Sequence, residues 1–132
     1  MALIRLLILA CLALPAAAQE RLTPDQFLDL AVGKTLTFQT YPGGMLVGVE
    51  QFLSREQSRW ARADGSCVIG EIFIDGPALC FAYPDDPRDH CWWPLRVDDR
   101  LFVRFADLSS PSTQEITKIT ENPVICEEVP SV

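Results

Sequence analysis

The side chains in this sequence that could do chemistry are four cysteines, one histidine and two glutamates set inside apolar runs. Cys67, Cys80, Cys91 and Cys126 contain no C-x-x-C pair, so they lack the spacing of a zinc or redox site and no metal site is expected. Read as two disulfides, they allow three connectivities. Asp75-Gly76 is a hairpin signal between IGEIFI and PALCFAY. Centring the turn there places Glu71 opposite Cys80 and leaves Cys67 about four residues out of register with it, too far for a disulfide. Cys80 and Cys91 flank the turn-rich Pro84–Asp89 and can face each other across it. The expected pairs are therefore Cys80–Cys91 and Cys67–Cys126, closures worth roughly 3 and 4 kcal/mol on the chain-entropy model.

His90 is the only histidine. With Asp89 beside it, it has the makings of an oriented general base. Its neighbour Cys91 is expected to be oxidised and no other nucleophile stands near it, so it reads as a loop histidine near a hairpin bend. The run His90-Cys91-Trp92-Trp93 also lacks the C-x-x-C-H of haem attachment. No catalytic residue and no cofactor is assigned.

Most aspartates fall in turns, where their side chains bond to backbone. Glu50 and Glu71 lie instead within apolar strands, and a glutamate there either faces water or needs a partner. Arg59, Arg62 and Arg104 are the strand-borne candidates. An interior Glu–Arg pair would mark a polar ligand pocket; solvent-facing pairing is the expectation. Arg55, Arg59 and Arg62 surround Trp60, a cluster that reads as a solvated strand face. Trp92 and Trp93 point to opposite faces of their strand. One belongs to the core, and the other is partly exposed or covered by the helix. Candidate binding residues are thus Trp60, Trp92, Trp93, Glu50, Glu71 and Arg62.

One helix is needed to complete the picture. Thr23-Pro24-Asp25-Gln26 carries a capping box with proline in the first turn, Phe27, Leu28, Leu30 and Ala31 form a stripe, and Gly33 stops it. The remainder alternates in short segments joined by turns at Pro42–Gly44, Arg55-Glu56, Asp64-Gly65, Asp75-Gly76 and Asp98-Asp99. About seven to eight short strands after one helix predict a mostly β chain, an antiparallel up-and-down meander or barrel. Its core would draw on Leu36, Phe38, Val47, Val49, Ile69, Ile72, Phe81, Trp93, Leu95, Leu101 and Val103. Residues 121–132 read as a tail held by Cys126.

Residues 1–18, MALIRLLILACLALPAAA, carry one charge, an apolar run and a small-residue end. That order is a secretory signal peptide, too short to span a membrane. Cys11 lies inside the apolar run and not at a lipidation position. A single β-rich domain, 19–132, is left, without a membrane anchor and expected in the periplasm or outside the cell. The 132 residues carry a formal charge of −7, which argues against a nucleic-acid partner. The 48% hydrophobic composition is enough for a core.

GKTLTF, GVEQFL, W-x-x-x-D-G-x-C and LCFAY…CWW, over about residues 24–105, resemble small exported β-domains of uncharacterised proteobacterial families. That resemblance implies no functional residues. The architecture also looks like calycin-type barrels, which include lipocalins and periplasmic enzyme inhibitors. The expected function is a binding module for a small molecule or envelope component. The alternative is an inhibitor or accessory protein that inserts Tyr41–Gly44 or Pro84–His90 into a protein partner. N-terminal sequencing of exported material should begin at Gln19; a sequence starting at Met1 would contradict the leader.

Overall fold

The computed structural model describes residues 19–127. The expected leader, residues 1–18, and the last five residues of the tail lie outside that range. Strand β1 (Gln19–Arg21) leads into helix α1 (Pro24–Ala31), followed by β2 (Thr35–Tyr41), β3 (Leu46–Phe52), β4 (Gln57–Arg62) and β5 (Cys67–Asp75). Then come β6 (Ala78–Ala82), β7 (His90–Val97), β8 (Arg100–Phe105) and β9 (Thr113–Thr120). All pairings are antiparallel. The eight strands β2–β9 close into a barrel: β2 pairs with β3 and β9, and β7 pairs with both β6 and β8. β1, which alternation did not reveal in three residues, adds to the outside of β7.

Closure runs through an unusual seam. β6 and β7 share only three residue pairs, Leu79↔Trp92, Cys80↔Cys91 and Phe81↔His90. Farther along the same edge β1 takes over, pairing Arg21 with Leu95 through Gln19 with Val97. Pro94 stands between the two partners. Its carbonyl accepts from Leu22 N–H on this edge, so the side that would carry its own N–H faces the same way. A proline cannot donate to a ladder, which explains why the partner changes there.

Cys80 and Cys91, directly opposite, are joined with a Cα separation of 4.0 Å. Cys67 and Cys126 form the second expected disulfide, at a Cα separation of 5.6 Å. The expected turn at Asp75-Gly76 lies one residue farther along the chain. The β5–β6 loop is Gly76-Pro77, so Phe73 and not Glu71 lies opposite Cys80. Gly76 takes the left-handed conformation, φ 55°, which the first residue of a two-residue hairpin loop needs and glycine adopts without steric cost. This shift moves Cys67 still farther from Cys80. The second disulfide holds the chain end on the outside of the barrel. There Val124 N–H donates to Gln51 and Glu127 N–H to the Gly65 carbonyl.

α1 forms where its signals stand. Thr23 and Gln26 make the reciprocal capping box, and Gly33 follows the helix with φ 80°. The helix crosses one end of the barrel and buries Phe27, Leu28 and Ala31 against Leu36, Phe52, Leu79 and Phe81. Leu30, read as part of the stripe, is only half-buried. Arg55 in the β3–β4 turn bonds Asp25 and Asp29 on the exposed side of the helix.

Leu36, Phe38, Ile72, Phe81 and Val103 lie in the core as expected, with Val47 and Leu101 packed against it. Val49, Ile69 and Trp93 do not. In β3 the inward residues are Gly48, Glu50 and Phe52, which places Val49 outside. Ile69 and Trp93 fall on the outward phase of β5 and β7, and Ile69 is exposed. Leu95 shares the outward phase with Trp93 yet is buried, between Arg21 of β1 and Phe102 of β8. Val47 is turned inward by the register shift opposite Phe38 and Gln39. Replacing Phe27 by Ala should lower unfolding free energy by about 3–5 kcal/mol, the range for truncating a fully buried Phe. Denaturant titration of the oxidised protein measures it, and an unchanged midpoint would show that the helix does not close the barrel.

Candidate functional site

Phe27 and Phe52 fill the helix end of the barrel, ring against ring at 6.0 Å. Above them the interior is hollow. A cavity of about 290 Å³ runs from Phe27 to the opposite rim, close to the lower size of typical small-molecule pockets. Its walls are the inward residues of consecutive strands. Phe38, Trp60, Phe81, Tyr83 and Trp92 supply aromatic surface, and Glu50 supplies the deepest ionisable group. Arg62, Asp85, Asp86 and His90 stand at the rim, each partly exposed.

Two glycines make room for the aromatic walls. A Cβ on Gly48 would fall well inside van der Waals contact with the Trp60 indole. One on Gly70 would come within 2.6 Å of the Tyr83 ring and 3.0 Å of Ser58 Oγ. Each glycine thus lets a neighbouring strand's ring lie across its backbone.

Glu50 is 2% exposed, and among the described residues it has no cationic partner. The Tyr83 hydroxyl donates toward both carboxylate oxygens at 3.3 and 3.4 Å, long for such bonds. The buried Ser58 hydroxyl favours the charged form from nearby, yet meets no described residue in full hydrogen-bond geometry. These two groups do not offset the loss of water. Burial pushes the Glu50 carboxyl from 4.5 up to about 8, so it is a neutral acid at neutral pH. Burial first, and Glu50 second, also push the Tyr83 phenol up.

The rim carries two charged pairs. Arg62 bonds Asp85 across the β4 end and the β6–β7 loop. His90 Nε2 lies 2.8 Å from Asp86 Oδ2. The Arg88 backbone N–H, and then His90, hold Asp86 below the usual carboxylate range. Tyr83 links rim to interior: its ring is stacked on Phe81 at 6.4 Å and lies 6.0 Å from His90.

Of the six candidate binding residues, Glu50, Trp60, Arg62 and Trp92 line this one cavity. Glu71 and Trp93 do not. Glu71 is exposed on the outer face, and Trp93 lies outside under Arg21, whose guanidinium is 5.4 Å from its ring. Trp93 is therefore the partly exposed tryptophan of the pair, overlain by Arg21 of β1 and not by the helix. The solvent-facing expectation fails for Glu50, and no interior Glu–Arg pair forms, because Arg62 turns to Asp85. Arg55, Arg59 and Arg62 do not make one face: Arg55 bonds the helix, and Arg62 faces inward. His90 opens strand β7 and is bonded to Asp86, not oriented by Asp89. Among the described residues, no three His, Cys, Asp or Glu side chains group as metal ligands would.

Sequence reasoning missed Tyr83 and Ser58. The signal for Tyr83 was present, since it shares a strand face with Phe81, two residues away. Ser58 carries no signal of its own and depends on the phase of β4. No family model matches the chain, and neither a curated protein nor a solved structure matches it.

The raised pKa of Glu50 makes stability depend on pH with a definite sign. The folded state holds a proton that the unfolded chain gives up near 4.5. Glu50 therefore favours folding most at low pH, and that contribution is lost as pH rises from about 4.5 through about 8. The slope is up to about 1.4 kcal/mol per pH unit. Glu50→Gln should remove this slope, so the variant gains on the wild type between pH 5 and 9 in denaturant titrations. Parallel pH profiles for the two proteins would show that Glu50 is not the buried acid.

Proposed function

We propose that this chain is an exported binding module that holds a small, largely apolar molecule inside its barrel. The observation that carries the reading is the aromatic-walled cavity with a single buried carboxyl at its depth. A barrel built only for stability would fill this space with side chains, since protein interiors pack densely. Here the strands carry polar Glu50, Ser58 and Gln114 inward. Apolar walls supply binding energy by excluding water, and the few polar groups set orientation. Calycin-type barrels use the same closed architecture, an analogy of fold alone.

Export is part of the same proposal. The leader-like residues 1–18 support it. Two disulfides are compatible with it, as is the absence among the described residues of a helix long and apolar enough to cross a membrane. The second reading, a protein-directed accessory factor, draws support from the β2–β3 turn. Tyr41, Met45 and Leu46 are exposed there, and Thr40 accepts from Gly44 and Met45 in a tight bend.

Naphthol, a neutral bicyclic probe, tests the first reading through quenching of the cavity tryptophans. Saturable binding of one probe per chain is expected. Val47→Trp places an indole in the cavity and should weaken binding tenfold or more with the fold intact by circular dichroism. Probe binding that survives this substitution, or no binding at all, would remove the barrel-interior reading.

A further inference from the structure

The Glu50 carboxyl is the feature of the cavity least explained by apolar binding. Burying an acid without a cationic partner is unfavourable, and a glutamine or leucine would fill the position at less cost. The group faces a space large enough for one substituted aromatic ring, about 290 Å³. Around that space lie the π-systems of Phe38, Trp60, Phe81, Tyr83 and Trp92. Aromatic faces attract cations, most strongly where water is excluded. A carboxyl lacking a protein cation, inside aromatic walls, is complementary to a ligand that brings the cation with it. The chain's formal charge of −7 acts in the same direction, since a net negative protein attracts cationic ligands.

Resting on the reading of the barrel as a ligand site, we propose that the cavity selects small arylalkyl amines in their protonated form. The Glu50 carboxylate is the counter-ion, and the rings of Trp60 and Tyr83 flank the ammonium group. The aryl end of the ligand lies against the apolar floor formed by Phe27 and Leu79. Arg62 does not compete for Glu50, because its guanidinium is engaged by Asp85.

Proton balance follows directly. Below about pH 8 the empty cavity holds Glu50 as the neutral acid. Binding of an ammonium ion converts it to the carboxylate, and one proton leaves for each cation taken up. Affinity for the amine should therefore rise about tenfold per pH unit from pH 6 toward 8, and level off above. The other ionisable groups lining the cavity are Arg62 on β4, His90 on β7, and Tyr83, Asp85 and Asp86 in the β6–β7 loop. β2, β8, β9 and α1 contribute only Phe38, Val103, Gln114 and Phe27, none of which titrates. A rim contribution from His90 and Asp86 would remain in a Glu50→Gln variant, which separates it from the proposed origin.

The experiment is isothermal titration of the oxidised protein with phenylpropylamine, phenylpropanol and phenylpropanoate. It is run from pH 6 to 9 in two buffers of different ionisation enthalpy. The amine should bind at least tenfold more tightly than the alcohol at pH 8, with the carboxylate weakest. Release of nearly one proton is expected at pH 6. Glu50→Gln should cost the amine tenfold or more and abolish proton release, while costing the alcohol less than the amine. Equal affinity for amine and alcohol at pH 8, or a pH dependence that persists in Glu50→Gln, overturns the amine assignment. It leaves the cavity reading standing, because the alcohol still binds. Failure of all three ligands while naphthol binds likewise overturns only the amine assignment, and failure of naphthol as well overturns both.

Discussion

Barrel closure through β7 is the constraint on which the rest of this structure depends. β7 pairs along its length with β8 on one side, but on the other it has only three pairs with β6 before Pro94 interrupts the edge. The Cys80–Cys91 disulfide lies at the middle of those three pairs and holds the seam covalently. β1 then covers the part of the edge that β6 cannot reach. Closure removes the exposed edges that an eight-stranded open sheet would present. It also creates an enclosed interior, without which neither the buried carboxyl nor the aromatic walls would exist.

The two ends of that interior are treated differently. At one end α1 is carried in by β1 and returns directly into β2, so its short length is offset by attachment on both sides. Phe27 and Leu28 close that end with apolar contacts, and the helix needs tertiary packing to persist at eight residues. At the other end the seam strand supplies His90 and the β6–β7 loop supplies Asp85 and Asp86. Polar groups concentrate where water reaches. The aromatic zone between them is dry enough to shift the acidity of Glu50. One strand, β7, therefore closes the barrel and also furnishes Trp92 and His90 to the cavity.

The outer surface carries the remaining constraint. Cys67–Cys126 spans a sequence separation of 59 and fixes the chain end to β5, while β2 and β3 bond the residues before it. The tail interactions use a side chain from each of β2 and β3, namely Thr35 and Gln51. This tie stabilises the wall that bears Glu50 and Trp60 on its inner face, without occupying the interior.

Local chemistry decided much of this protein from sequence alone. The capping box and Gly33 set the helix, Gly and Asp residues marked the turns to within a residue, and the Pro84–Asp89 turn brought Cys80 to Cys91, which left Cys67 for Cys126. These features depend on residues close along the chain or on simple registers, so they are legible without the fold. Which side of a strand faces inward was less legible. In β3, Val49 and Glu50 compete for the inward position, and hydrophobicity favours valine. The closed barrel settles it for Glu50, because the pairings to Leu36 and Trp60 set the phase of the whole strand. The meeting of Glu50 with Tyr83, separated by 33 residues, likewise belongs to tertiary structure. No local pattern marks a hollow interior, since a cavity is a property of how strands from across the chain enclose space, not of any one strand.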